Sequence, residues 1–304
     1  MTRQEKLLHR INKTGFGLEI GPSYNPLLPK AEGWNVVTVD HCTKDELIEK
    51  YKNEPGVDVS RIEDVDYIWH SGTYQELIGK KDYFDHIVAS HLLEHIPNPI
   101  SWLQDVSLML KDSGYLILAL PDRNFCFDFS RPVTTTGQWL QAYSEKREHH
   151  SFATMYDSLS YFVTLNNVYT WGKADDGKLS YKDDIDNLYN EYLNTSNKSE
   201  YVDFHFSVFT HLSFQLMISE LNFFGLTDLV IDESYPPTGC EFIVILRKSK
   251  EKISRSEVIS IREKYLLNLP KLYPNHLNSF ISCYSKIFNY IYRLARGIKR
   301  RLKL

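Results

Sequence analysis

Two short stretches combine an apolar run with an acid in a way that suits nucleotide binding. In LEIGPSYNP, residues 18–26, Glu19 and Gly21 end an apolar run, and small or turn-forming residues follow. A glycine there lets a ligand approach the backbone, and the N–H groups beyond it can bind a carboxylate or a nucleotide. In VVTVDH, residues 36–41, Asp40 ends the next apolar run, where a Rossmann-type site binds the two hydroxyls of a ribose. A plain tight turn also explains the first stretch, so the prediction depends on the pair.

The residues after Gly21 argue against a dinucleotide. Ser23 stands where the GxGxxG pattern has its second glycine, and Pro22 has no N–H. A pyrophosphate would therefore lose donors that it needs. An adenosine without phosphates fits this loop better.

A parallel sheet is needed to bring such strand ends together. Apolar runs rich in β-branched residues alternate with helical stretches, which is typical of βαβ units. We predict helices over 99–111 and 210–224, and strands near 16–20, 35–39, 65–69, 84–89, 114–120, 226–232 and 240–247. The last two flank a Pro-Pro-Thr-Gly turn and should pair as a hairpin. The predicted fold class is α/β, a Rossmann-like seven-stranded mostly parallel sheet with one antiparallel edge strand.

The predicted domain organisation has two parts. A main domain covers residues 1–250 and carries a helical insertion over 122–205, where polar and aromatic residues replace the α/β pattern and weak helical periodicity appears around 138–147 and 151–165. A C-terminal helical extension covers 251–304. The aromatic side chains of the insertion can stack on sugar rings, but such residues more often belong to a core.

Composition excludes several classes of protein. The longest apolar runs have strand length, and the N-terminus lacks the apolar core of a secretory signal, so we expect a cytoplasmic protein. The four cysteines, Cys42, Cys126, Cys240 and Cys283, form no CxxC pair, and the histidines lack metal-ligand spacing. We therefore expect reduced thiols and no metal site.

The last residues form a basic amphipathic tail. Residues 286–304 contain seven Lys or Arg and no acid, so the net charge of −4 leaves −11 for the remainder. Residues 284–304 place apolar side chains on one face of a helix and basic ones on the other, which favours peripheral attachment to an anionic inner-membrane surface. Docking on the chain's own acidic domain or on a partner is the alternative. Nucleic acid is not an expected partner, because the acidic remainder would repel phosphates.

The ordered motifs resemble those of the class I S-adenosylmethionine-dependent methyltransferases. The resemblance runs through LEIGPS, VVTVDH, FDHIVASHLLEHIPNPISWLQDVSLMLKDSGYLILALPDR and the closing hairpin, over about residues 15–250. With the FDxxRPxTT pattern within 127–136, it is similar to a bacterial subgroup encoded beside glycosyltransferases of surface-polysaccharide synthesis. It implies S-adenosylmethionine as cofactor and a methyl-transfer reaction.

The resemblance also implies which residues hold the cofactor. Glu19 and Gly21 match the motif that serves the methionine end, Asp40 the ribose-binding acid, and Ser90 and His91 lie beside the transferred methyl group. One departure is Trp69-His70-Ser71, where relatives have an acid near the adenine. The predicted cofactor contacts are Glu19, Gly21, Ser23, Asp40, His41, Ser90 and His91.

The reaction requires a group that removes a proton if the acceptor is a hydroxyl. Histidine suits this role because its ordinary pKa, about 6.5, lies near neutral pH. The resemblance implies His205, His95 and His91 as the catalytic residues, although His91 and His95 can also simply cap or pack a helix. The predicted acceptor contacts are Asp122, Arg123 and Arg131, with a salt bridge that pins the insertion as the alternative.

Three functions stay open from the sequence. The first is methylation of a hydroxyl, an O-methyltransferase reaction, on a sugar or lipid-linked glycan intermediate. The second is methylation of a small metabolite such as a quinone or natural-product precursor, because one fold serves many acceptors. The third is a catalytically inactive partner protein that only binds S-adenosylmethionine. The oligomeric state is not predicted.

Overall fold

The structure is a computed structural model that describes residues 1–172, 177–182, 185–196 and 201–272. The chain forms a first compact unit, Met1–Val258, and a second that begins at Ile259. The predicted boundary at residue 250 stays a prediction. The amphipathic tail and Cys283 lie outside the described residues. Every helix within the described ranges is too short or too polar to span a lipid bilayer.

Seven strands form the central sheet, in the order β3-β2-β1-β4-β5-β9-β8. All neighbouring strands from β3 to β5 are parallel, whereas β9 runs antiparallel to both β5 and β8. This arrangement confirms the predicted Rossmann-like fold with antiparallel pairing at one edge. The strands of the chain are β1 (Gly17–Ile20), β2 (Val36–Asp40), β3 (Tyr67–Ile68), β4 (Phe84–Ser90), β5 (Leu110–Pro121), β6 (Val163–Leu165), β7 (Leu179–Tyr181), β8 (Leu229–Thr238) and β9 (Glu241–Lys248).

The β8–β9 hairpin has a shorter turn than predicted. Pro236 and Pro237 belong to β8, and the pair Thr238 and Glu241 closes the hairpin. The register shifts between Tyr235 and Thr238. Because β8 lies at the sheet edge and the prolines fall in this irregular stretch, their missing N–H groups cost no regular ladder bond.

Helices cover the sheet and bury both of its faces. Along β5, Leu116, Leu118 and Leu120 belong to one apolar core and Ile117 and Ala119 to another, because successive strand residues point to opposite faces. The helices are α1 (Arg3–Leu8), α2 (Lys44–Tyr51), α3 (Tyr74–Ile78), α4 (Pro99–Met109), α5 (Thr136–Ser144), α6 (Phe152–Ser160), α7 (Ile185–Ser196), α8 (His211–Phe224) and α9 (Arg255–Leu272).

The insertion contains helices and a small second sheet. Helices α5 and α6 confirm the helical character of the region. The periodicity around 151–165 predicted a helix that includes Val163–Leu165, but these three residues form a strand. This strand pairs with Leu179–Tyr181 as the β6–β7 sheet. That pairing is between residues distant in sequence, so local periodicity does not reveal it. Trp139 of α5 is fully buried in the main core, where its indole N–H donates to Ser207 Oγ at 2.9 Å.

Candidate active site

The loop after β1 forms a cradle between the ends of β1 and β2. Gly21 has φ +70° and donates its N–H to the Val39 carbonyl. Ser23, with φ +50°, donates its N–H to Asp40 Oδ2 at 2.9 Å. Ser23 Oγ is buried without a hydrogen-bond partner among the described residues. The open glycine and this polar atom fit a polar ligand at the strand ends.

Glu19 holds that loop in place. Its two carboxylate oxygens accept the N–H groups of Leu27 and Leu28 at 2.7 and 2.9 Å. Burial raises the pKa of Glu19 to about 7, although both backbone hydrogen bonds act in the opposite direction. In these contacts Glu19 orders the polypeptide around the cradle. A direct contact with the cofactor stays a prediction.

Asp40 ends β2 with its carboxylate almost fully buried. Oδ1 accepts from the His41 backbone N–H at 2.8 Å and lies 2.6 Å from His41 Nδ1. Each carboxylate oxygen has two lone pairs, so further bonds from ribose hydroxyls are chemically available. The structure therefore brings the predicted cofactor residues Gly21, Ser23, Asp40 and His41 together.

Relatives have an acid just after β3, near the adenine, and in the described part of this chain the nearby Asp66 does not replace it. Asp66 accepts from Thr38 and pairs with Lys30 Nζ at 2.5 Å, so it braces β2 against its neighbour. The Trp69 indole N–H donates to the Gly72 carbonyl at 2.9 Å. The exposed His70 follows. If the adenine lies here, it meets an aromatic ring and not an acid.

Ser90 ends β4, His91 follows it, and both join a network that includes two residues not predicted. His91 Nε2 lies 2.9 Å from Glu241 Oε2, and Arg3 binds Glu241 at 2.6 and 3.0 Å. Arg3 also donates to Ser90 Oγ at 3.1 Å. Burial lowers the pKa of His91, but the neighbouring carboxylates of Glu241 and Glu94 outweigh this effect and raise the pKa to about 10. With φ +51°, His91 also has a backbone conformation that few non-glycine residues adopt.

Glu94 is the most deeply buried charge of the region. It lies in a 3-10 turn, Leu93–His95, and is 0% exposed. Oε1 is 3.5 Å from His91 Nδ1 and 3.9 Å from His95 Nε2. Burial alone would raise the pKa of Glu94, but the three surrounding histidines, His91, His95 and His205, lower it.

Two histidine–carboxylate pairs face each other beside Glu94. His205 Nδ1 lies 2.5 Å from Asp128 Oδ2, and His95 Nδ1 lies 2.7 Å from Asp203 Oδ1. The two imidazole rings meet edge to face, with centroids 4.5 Å apart. Burial raises the pKa of Asp128, but His205 and Arg131 outweigh it and lower the pKa to about 2. In each ring, Nε2 is the nitrogen that the carboxylate leaves available.

A cavity of about 290 Å³ opens beside these pairs. One part of its wall is aromatic, because Phe127 and Phe162 stack with centroids 4.5 Å apart. The polar part carries Lys182, His205 and the pair of His95 with Asp203. The cavity is lined by His95, Phe127, Ser158, Leu159, Phe162, Lys182, Asp203, Phe204 and His205. Its volume is near the lower end of the ~300–1,000 Å³ usual for small-molecule sites.

The three predicted acceptor contacts are all buried in the protein. Asp122 accepts from the His211 N–H at the start of α8 and from Asn124. Arg123 donates to the Phe129 carbonyl, and Arg131 to Asp128. Such contacts within the protein agree with the alternative to acceptor binding, in which these charged side chains hold the insertion in place. Acceptor binding by these three residues stays a prediction.

The match to a known family decides the class of protein. A profile of a family described as a methyltransferase domain matches residues 3–165, more than half of the chain. The chain belongs to this methyltransferase family. The predicted cofactor, S-adenosylmethionine, and the predicted methyltransferase class are confirmed. The match does not test the narrower resemblance to the polysaccharide-associated subgroup.

Solved methyltransferase structures are similar to this chain at low identity. A protein from Methanosarcina mazei is 16% identical, with 80% of this chain and 97% of that chain covered and a TM-score of 0.41. One from Listeria monocytogenes is 12% identical, with 81% and 96% covered and a TM-score of 0.36. One from Mesorhizobium loti is 12% identical, with 80% and 97% covered and a TM-score of 0.40. No curated protein matches the chain.

Sequence reasoning missed several members of the site. Asp128 lies within the FDxxRPxTT pattern and Asp203 two residues before His205, so acids near recognised motifs were available as a signal. Glu241 was visible only as part of the closing hairpin. Arg3 had no signal, because its partner Glu241 lies at the other end of the first unit.

Proposed function

We propose that this methyltransferase methylates a hydroxyl group of a sugar-containing acceptor, such as a lipid-linked glycan intermediate. The observation that carries the proposal is the pair of oriented histidines, His95 and His205, in the wall of the 290 Å³ cavity. A hydroxyl needs activation before methyl transfer, and imidazoles held by carboxylates are suited to that task. Amine and thiol acceptors need it less, because they carry a nucleophilic lone pair or ionise readily.

The cavity wall supports a sugar as the acceptor. The stacked Phe127 and Phe162 offer apolar surface for the C–H face of a sugar ring, and the polar wall offers partners for its hydroxyls. S-adenosylmethionine supplies a methyl group already activated on a sulfonium. The protein then has to orient the hydroxyl and remove its proton, so that the oxygen forms the new bond as the carbon–sulfur bond breaks. The residues proposed for this step are Glu94, His95 and His205.

The position of the cluster supports its role. The turn that carries Glu94 and His95 follows β4 directly, and the backbone carbonyl of Glu94 accepts the N–H groups of Phe206 and Ser207, next to His205. Parallel sheets of this kind bind ligands at the carboxyl ends of their strands. The cluster and the cofactor cradle therefore share one end of the sheet.

Product analysis tests the proposal. The purified chain is incubated with methyl-labelled S-adenosylmethionine and with nucleotide sugars, lipid-linked saccharides, quinols and small phenols in parallel. We expect labelled methyl ether on a saccharide, and S-adenosylhomocysteine release in proportion. Transfer to the quinol or phenol alone would support the small-metabolite alternative. Binding of S-adenosylhomocysteine without turnover on any acceptor would support the inactive partner.

A further inference from the structure

We propose that Glu94, His95 and His205 bind a divalent first-row transition-metal ion. One ligand atom from each side chain lies within 4.8 Å of the other two. The residues come from two distant parts of the chain, the turn after β4 and the segment before α8. The sequence showed no metal-ligand spacing because this donor set forms only when those segments meet.

The histidines have the outer partners that metal ligands require. A metal-bound imidazole usually donates its second N–H to a carboxylate, which fixes the tautomer and turns the other nitrogen to the metal. Here Asp203 holds Nδ1 of His95 and Asp128 holds Nδ1 of His205. Both rings are thereby oriented with Nε2 available, and His95 Nε2 is 3.9 Å from the Glu94 carboxylate.

The burial of Glu94 is a second, independent observation that points to a ligand. Its side chain is 0% exposed, and neither oxygen has a hydrogen-bond partner among the described residues. A carboxyl group buried without hydrogen bonds is unfavourable unless another group compensates it. A cation between Glu94 and the two Nε2 atoms would provide the missing ligand. A third imidazole, that of His91, also contacts Glu94: its Nδ1 is 3.5 Å from Glu94 Oε1, at the limit of hydrogen bonding.

The donor set selects the class of ion. Two imidazole nitrogens and one carboxylate oxygen suit Zn²⁺, Mn²⁺, Co²⁺ or Fe²⁺, whereas Mg²⁺ and Ca²⁺ favour oxygen donors. Ligand atoms about 2.1 Å from an ion lie ~3–4 Å apart, so the present spacing requires them to close by about 1 Å. Three protein ligands leave positions open for an exogenous oxygen.

Such an ion would explain how the hydroxyl is activated. A bound cation lowers the pKa of an oxygen that it coordinates and also orients it. This role rests on the proposed function, whereas binding of the ion does not. In this arrangement Glu94, His95 and His205 activate the hydroxyl through the ion, and the proton of the coordinated hydroxyl passes to solvent water.

Metal titration of the untagged full chain tests the site. After dialysis against a chelator, the protein is titrated calorimetrically with Zn²⁺, Co²⁺ and Mg²⁺, and the visible spectrum is recorded with Co²⁺. We expect one Zn²⁺ or Co²⁺ per chain, at least tenfold weaker Mg²⁺ binding, and Co²⁺ absorption bands typical of nitrogen ligation. His205→Ala and Glu94→Gln should weaken Zn²⁺ binding at least tenfold. His149→Ala, which removes an exposed histidine, should not change it.

Asp203→Asn keeps the test decisive if substitutions at the buried ligands prevent folding. Its side chain is 67% exposed, so the fold should tolerate the change, while the loss of the outer partner should weaken the metal about tenfold or more. Absence of stoichiometric binding to the folded wild type, or equal affinity in all folded variants, indicates an adventitious ion only and overturns the site.

Activity assays separate this inference from the proposed function. Metal binding without methylation of any hydroxyl leaves the site standing and contradicts the proposed function. Full-rate hydroxyl methylation by chelator-treated, metal-free protein supports the proposed function and overturns the activating role of the ion.

Discussion

At the scale of residues, the site depends on carboxylates that orient histidines. Asp128 binds His205, Asp203 binds His95, and in both cases the contact is made through Nδ1. A ring held in this way presents one defined nitrogen to its surroundings and loses little entropy when it binds a ligand. The type of side chain is thus only part of the function, and its partner determines the rest.

Asp40→Asn should weaken cofactor binding. The amide keeps the shape but loses the charge and one acceptor oxygen, so bonds to the ribose hydroxyls become weaker. We expect the Kd for S-adenosylhomocysteine to rise at least about tenfold in calorimetry. Asp64→Asn, a change at a carboxylate whose side chain is 89% exposed, is the matched control and should leave the Kd unchanged. Equal affinity in both variants would remove Asp40 from the binding site.

His205→Ala should reduce turnover much more than cofactor binding. Loss of a group that activates the hydroxyl typically costs about 10²–10⁴-fold in rate. The Kd for S-adenosylhomocysteine should change less than about threefold, because His205 lies in the acceptor cavity and not in the β1–β2 cradle. Single-turnover rates and binding measured on the same folded sample check this split. A parallel loss of both would indicate a structural role instead.

At the scale of elements, α8 connects the insertion to the sheet. Thr210 caps its start, Asp122 accepts from the N–H of its first residue, His211, and the helix begins just after the His205 segment. Its end is defined by Gly225 at φ +76°, whose N–H closes the last turn. The predicted helix over 210–224 is confirmed because these local capping signals agree with the apolar periodicity.

Gly225→Ala should destabilise the protein by about 1 kcal/mol, because alanine is strained in the left-handed conformation. Its Cβ would also meet the flexible end of Lys252 at 2.7 Å. Gly137→Ala is the matched control, since Gly137 lies within α5 and a Cβ there meets only ordinary contacts. That change should be neutral or stabilise by up to ~1 kcal/mol. Urea unfolding of both variants measures the difference, and equal effects would contradict the argument.

Elements with long-range partners were harder to predict. Strand β5 begins at Leu110, earlier than the predicted residue 114, because Leu110 pairs with Phe84 before the register shifts toward the pair His86 and Tyr115. Ser113, at φ +61°, lies in this irregular stretch. The predicted helix over 99–111 is therefore too long by two residues, because α4 ends at Met109 and pairing with the neighbouring strand places residues 110–114 in β5.

At the scale of the whole molecule, the helices that cover the sheet also bury polar side chains away from the candidate active site. His86 of β4 is 1% exposed, and its Nε2 has no hydrogen-bond partner among the described residues. Burial lowers the pKa of His86 to about 4, against a smaller opposing effect of Asp85. The folded protein therefore keeps this ring neutral where the unfolded chain would protonate it.

Acidification should consequently destabilise the fold through His86. The unfolded ring gains a proton below about pH 6.5 and the folded ring only near pH 4, so the free energy of unfolding falls as the pH falls between these values. The loss is on the order of 3 kcal/mol. His86→Gln should show a weaker decline over the same range in urea unfolding at several pH values. An identical pH dependence in wild type and variant would show that His86 is not the cause.

The basic tail predicts membrane attachment of the whole protein. Replacement of Lys299, Arg300, Arg301 and Lys303 by Gln removes four cations, each worth about 1 kcal/mol near an anionic surface. We expect the wild type to sediment with vesicles containing anionic lipid and the variant to remain largely in the supernatant. Neutral vesicles are the control. Equal sedimentation of both proteins would favour docking of the tail on protein.

The sequence by itself determined the fold class and predicted Gly21 and Asp40 at strand ends, and its resemblance to the methyltransferases implied the cofactor and a role for His205. These follow from signals that are local in the chain: apolar runs, strand ends, caps and ordered motifs. Only the tertiary structure decided that Arg3 and Glu241 join His91, that Asp128 and Asp203 orient the two catalytic candidates, and that Glu94 is enclosed by histidines. The physical reason is that these partners are distant in sequence. Ion pairs and hydrogen bonds form between side chains that packing brings within a few ångströms, and periodicity carries no information about such contacts.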